Sequence, residues 1–114
     1  MSFTIYHNPR CRKSRAGLEF LQSKGITTEV RTYLRDSLTL DELKLLFSKL
    51  NLAPAEMIRT QEEAFKKELK GKSFTDDEWL RIIIENPKLL KRPIVVKENK
   101  AVWGDPVEEL DVLF

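Results

Sequence analysis

Apolar and polar positions in the first third of the chain alternate with a period of two, then near 3.6, then two again. In Phe3-Thr4-Ile5-Tyr6-His7, Phe3, Ile5 and His7 fall on one face and Thr4 and Tyr6 on the other, as in a short strand. Asn8-Pro9 stops it. Ser14, Gly17, Leu18 and Leu21 recur at spacings of three and four, which predicts a helix over 13–24. Gly25 suits its left-handed cap. Thr28 to Leu34 alternates again, with Val30, Thr32 and Leu34 opposite Glu29, Arg31 and Tyr33. Two strands with a helix between them predict a right-handed β-α-β unit.

The middle of the chain is helical in pattern. Thr39-Leu40-Asp41-Glu42 has the spacing of a capping box, and Leu40, Leu43, Leu46, Phe47 and Leu50 form one stripe behind it. Residues 53–58 and 61–70 read as shorter helical pieces, broken at Gly71-Lys72. Thr75-Asp76-Asp77-Glu78 is a second capping box, followed by Trp79, Leu80 and Ile83 and ended at Asn86-Pro87. Ile94-Val95-Val96 and Ala101-Val102-Trp103 read as strands joined in a hairpin by Lys97 to Lys100. A last short helix is expected over 107–112. The order predicts one α/β domain over 1–114, with a central mixed sheet of about four strands and a helical insertion over about 39–90.

Composition narrows the function classes. Of the 114 residues, 41% are hydrophobic and 33% charged, which is ordinary for a globular domain. No apolar run exceeds three residues, too short to span a bilayer, and Met1-Ser2-Phe3-Thr4-Ile5 lacks the apolar core of a signal peptide. The expected location is the cytoplasm, with no membrane partner. The net charge of +2 gives no case for nucleic acid. Residues 1–35 nevertheless carry seven basic and two acidic side chains, suiting a local site for a small anion. One cysteine and one histidine allow no internal disulfide and make a metal site unexpected.

That cysteine lies in Asn8-Pro9-Arg10-Cys11-Arg12-Lys13-Ser14-Arg15, between the first strand and the first helix. First-turn amides would point at its sulfur, and four basic residues within positions 10–15 add positive charge. Both favour the thiolate, so its pKa should fall below the free value of about 8.5. Ser14 could offer its hydroxyl to the sulfur from the first turn. A lone cysteine is often a small buried hydrophobe instead. The basic cluster argues against a wholly buried pocket, because these charges must reach water or an anion. With serine at the position of a second cysteine, no resolving thiol is in reach, and turnover needs an external thiol. His7, Arg59 and Arg92 each have an ordinary structural or surface reading. Pro93 suits the start of a strand.

These residues resemble the glutaredoxin-coupled arsenate reductase family, part of a wider arsenate-reductase-like group with a thioredoxin-like fold. The resemblance covers nearly the whole chain. It rests on His7-Asn8-Pro9-x-Cys11-x-x-Ser14-Arg15, Ile58-Arg59, Phe74-Thr75-Asp76-Asp77 and Asn86-Pro87-x-Leu89-x-x-Arg92-Pro93-Ile94-Val95-Val96. It implies that Cys11 is the nucleophile, that His7 and Ser14 tune it, and that Arg59 and Arg92 hold an oxyanion, with Arg10 and Arg12 as further candidates. Asn8 and Pro93 would shape the site, with Pro93 in the cis form. It implies arsenate or a similar small oxyanion as substrate, glutathione as co-substrate, glutaredoxin as partner and no bound cofactor. One position departs from the family. Where the family has a third oxyanion arginine, this chain has Asp105, and a carboxylate repels an anion rather than donating to it. A glutathione-dependent thiol reductase with another substrate is therefore the alternative within the same chemistry. A regulatory binding protein without turnover is the alternative outside it. The usual pattern of the group's regulators is Cys-x-x-Cys, which Cys11-x-x-Ser14 does not match.

Overall fold

A computed structural model describes residues 2–114. The chain divides into two compact units, residues 2–36 with Arg92–Phe114, and Ser37–Lys91.

The first unit is built on a four-stranded mixed sheet of order β2-β1-β3-β4. Its strands are β1 (Phe3–Tyr6), β2 (Thr28–Arg31), β3 (Ile94–Lys97) and β4 (Lys100–Trp103). β1 pairs parallel with β2 and antiparallel with β3, and β3 pairs antiparallel with β4. Helix α1 (Arg12–Ser23) supplies the crossover between the parallel strands, and Gly25 follows its end with φ +73°, as only glycine does cheaply. Phe3, Ile5, Leu21, Val95, Leu110 and Leu113 form the core. Burying such side chains stabilises by about 1.5–3 kcal/mol each, so alternation in β1 fixes which face turns inward. Glu98 and Asn99 make the two-residue turn between β3 and β4, with Glu98 at φ 55°. A 3-10 helix, Val107–Leu113, closes the unit.

One expectation needs correction here. The second strand ends at Arg31 rather than Leu34, because the chain turns: the Arg35 and Asp36 amides both donate to the Thr32 carbonyl. Neither face of β2 is buried: Glu29 and Val30 are exposed, Val30 at 43%, and Thr28 and Arg31 are half-buried. β2 is an edge strand, where alternation is a weak guide to burial.

The second unit is helical. It contains α2 (Leu40–Leu50), α3 (Asp76–Glu85), a 3-10 turn at Pro54–Met57, a π-helical turn at Phe65–Leu69 and a 3-10 turn at Pro87–Leu89. Both expected capping boxes form. Thr39 Oγ1 accepts from the Glu42 amide at 3.1 Å, and Thr75 Oγ1 from the Glu78 amide at 3.2 Å. Leu43, Leu46, Phe47 and Leu50 of α2 and Trp79, Leu80 and Ile83 of α3 are buried, as their spacing predicts. An isolated bridge ties Ile58, in the middle of the unit, to Leu90 near its end, and the Arg59 amide donates to the Leu89 carbonyl at 2.7 Å.

Candidate active site

The sheet unit places Cys11 at the N-cap of α1, half-buried, with extended backbone (φ −93°, ψ 123°). An N-cap side chain normally accepts from the first-turn amides. The Cys11 thiol forms no cap hydrogen bond of ordinary geometry, yet the amides of Lys13 and Ser14, the N2 and N3 positions such a cap would use, favour its ionised form. Burial alone pushes the thiol up. The Ser14 N–H, a hydrogen bond from the Arg92 side chain, the Lys13 N–H and the Arg92 charge outweigh it, and the thiol lies below its ordinary value.

Behind the sulfur lies a buried polar network. The Asn8 amide donates to Ser14 Oγ at 3.0 Å, and that hydroxyl lies 2.8 Å from His7 Nδ1. His7, Asn8 and Ser14 are all buried. Asn8 shapes the loop a second way, accepting from the Arg10 amide at its side chain and from the Cys11 amide at its carbonyl, both at 3.0 Å. Burial pushes His7 below its ordinary value; its bond with Ser14 opposes this, and the charge of Arg15 adds to the fall. Burial and the Arg15 charge therefore favour the neutral ring. Ser14 thus meets the sulfur through its main chain, while its hydroxyl is engaged with His7 and Asn8, which differs from the hydroxyl-to-sulfur contact expected from spacing.

Arg92 enters from the other side, just before β3. The Arg92-Pro93 peptide bond is cis. Pro93 packs against α1 at Gly17, where an added Cβ would lie 2.8 Å from Pro93 Cγ. Glycine here admits the close approach. Arg10 and Arg12 are exposed at the loop and first turn. Arg59 belongs to the helical unit, where its guanidinium pairs with Glu62 at 2.8 Å. Asp105 does not stand as an isolated negative charge. Its Oδ2 lies 2.6 Å from Lys13 Nζ, with side-chain exposures of 21% and 64%. Sequence reasoning missed this pair and also Trp103, whose indole N–H donates to the Arg92 carbonyl at 3.3 Å. Among the described residues, no group of His, Cys, Asp or Glu is placed to hold a metal ion. No helix among them is long and apolar enough to cross a membrane.

A mixed sheet with one activated thiol at the mouth of its first helix, beside a cis proline, defines a single-cysteine protein of thioredoxin-like fold. Comparison with known proteins narrows the class. Residues 6–113 match the model of the ArsC family, and the chain belongs to that family. It is 43% identical over 111 residues to an arsenate reductase of Neisseria meningitidis, covering 96% of this chain and 95% of that protein. It is 37% identical over 110 residues to an arsenate reductase of Haemophilus influenzae, covering 95% of each. The solved structure of an arsenate reductase from Vibrio cholerae superposes with a TM-score of 0.95 at 40% identity, covering 100% of this chain and 98% of that one.

Proposed function

We propose that the chain is an arsenate reductase that uses the Cys11 thiolate as nucleophile and glutathione and glutaredoxin as electron donors. The observation that carries this is the sulfur's setting, two main-chain amides and one guanidinium at a helix mouth, in a member of the ArsC family. The thiolate attacks arsenic(V), and a protonated arsenate oxygen leaves as water, forming a Cys11 S–As bond. The thiolate of glutathione then attacks the Cys11 sulfur. The S–As electron pair departs with arsenic, which leaves as arsenite, while the two sulfurs are oxidised to a mixed disulfide. A glutaredoxin thiolate takes the glutathionyl group and regenerates Cys11. External thiols are required because Cys11 is the chain's one cysteine.

Arg92 supplies preorganised positive charge where the oxyanion meets the sulfur. Arg59, Arg10 and Arg12 are taken as further oxyanion ligands from the family resemblance. Dependence on glutathione and glutaredoxin suits the reducing cytoplasm. The test is arsenite production from arsenate with glutathione and glutaredoxin, dependent on Cys11. The Lys13–Asp105 pair favours a second reading, in which the same thiol chemistry serves a less anionic substrate. Absent arsenate turnover, with rapid deglutathionylation of a model mixed disulfide, would select that reading.

A further inference from the structure

We propose that Trp103 is a positioning residue that holds the Arg92 main chain so that its guanidinium stays at the Cys11 sulfur. This rests on Cys11 being the nucleophile, and it adds a residue that acts through Arg92.

The β3–β4 ladder ends where Ile94 faces Trp103. One step further, the Gly104 amide still donates to the Pro93 carbonyl at 2.9 Å. Beyond that the main chains no longer pair, and Pro93 has no N–H of its own to contribute. The Arg92 carbonyl is met by a side chain: the Trp103 indole N–H, 3.3 Å away. Two successive carbonyls, on Arg92 and Pro93, are therefore pinned from the end of β4. Pro93 is in turn seated on Gly17 of α1. Arg92 thus springs from a segment fixed on one side by the helix that carries Cys11 and on the other by Trp103. Indole suits this role, because it is a rigid donor with no acceptor capacity.

The test reads thiolate reactivity rather than turnover: iodoacetamide alkylation of Cys11 against pH, in the full-length protein. Trp103→Phe keeps an aromatic ring and removes the N–H. Its apparent Cys11 ionisation should move up by about half a unit, an alkylation rate roughly threefold lower on the acid side. Arg92→Ala should move it further. In the double variant, Trp103→Phe should add nothing to Arg92→Ala, because Trp103 acts through that guanidinium. Benzothienylalanine at position 103 keeps the indole's shape without its N–H and should reproduce the shift; it serves if Trp103→Phe fails to fold. An unshifted profile in either variant overturns the proposal. So does the same shift with and without Arg92. If wild-type protein shows this coupling yet no arsenate turnover, the substrate assignment fails and the positioning role stands. If it turns over arsenate while the two variants act additively, only the positioning role fails.

Discussion

The helices of this protein begin in two different ways. α2 and α3 open with threonine caps answered by Glu42 and Glu78, and their first turns carry Asp41 and Glu42, and Asp76, Asp77 and Glu78. Oxygen satisfies the free amides, and negative charge opposes the positive helix end, each such charge adding about 0.3–1 kcal/mol. α1 opens on Cys11, with no conventional cap, no acid in its first turn, and Arg12, Lys13 and Arg15 at or near it. By the rules that α2 and α3 obey, this is a poor helix start. Its Lys13 and Ser14 amides favour the thiolate form of Cys11, with the Arg92 charge. The difference separates helix ends built for stability from one built for chemistry.

The strongest test of that contrast is Cys11→Ser. Turnover should fall by more than about a thousandfold, since the attacking atom is lost. Serine is a better N-cap than cysteine, so the variant should be equally or more stable near pH 6, by up to about 1 kcal/mol in urea unfolding. The balance should change with pH. The folded thiol ionises below its ordinary value, so the unfolded chain holds the extra proton in the window between the two. Wild-type stability should therefore gain on Cys11→Ser as pH rises through that window, reach its full gain above the unfolded thiol's pKa of about 8.5, and lose it as pH falls through the folded value. A stability difference that stays flat from pH 6 to about 9 would show that the helix mouth does not favour the thiolate.

Arg92→Ala comes next. Losing one preorganised donor costs about 3 kcal/mol, or roughly a hundredfold in kcat/KM for arsenate, with no comparable loss of stability. Arg59→Ala, at the other arginine the family resemblance assigns to the oxyanion, should give a similar loss. A normal kcat/KM in either variant removes that arginine from the anion site.

Much of this was legible from residue order, for physical reasons that differ by region. The capping boxes at Thr39 and Thr75 read clearly because they are local, with every partner within three residues. The Cys11 loop was legible for the same reason: strand, Asn8-Pro9, thiol and basic helix start follow one another directly. What could not be read depends on long-range contact. Lys13 and Asp105 are 92 residues apart, and the Trp103 indole meets Arg92 across a hairpin. No periodicity marks a tryptophan as a hydrogen-bond donor rather than a core ring. β2 misled for a third reason: its alternation runs on to Leu34, past the turn at Thr32 that ends the strand.

The capping side of the contrast has a smaller, cleaner test. Thr75→Ala removes the acceptor for the Glu78 amide and should destabilise the protein by about 1 kcal/mol, read from the urea midpoint. Cys11 alkylation and arsenate turnover should not change. A shifted thiol profile would mean that the two kinds of helix start are energetically coupled, which their different chemistry does not require.

The finest test concerns Asp105, an acid that touches the first turn of α1. Asp105 pairs with Lys13, whose amide serves the sulfur, so it offsets one of the charges that set α1 apart. Asp105→Asn should alter stability by less than about 1 kcal/mol, because Lys13 is largely exposed and the pair is screened. Removing the carboxylate leaves the Lys13 charge uncompensated at the helix mouth. KM for arsenate should then fall about two- to fourfold at low ionic strength, with kcat nearly unchanged and the gain gone at about 0.5 M salt. A KM that rises would mean that Asp105 aids binding by holding Lys13 in place. A fall that survives high salt would mean a direct steric effect of the side chain. A salt-sensitive fall would make Asp105 the residue that limits the anion affinity of a helix mouth otherwise built to raise it.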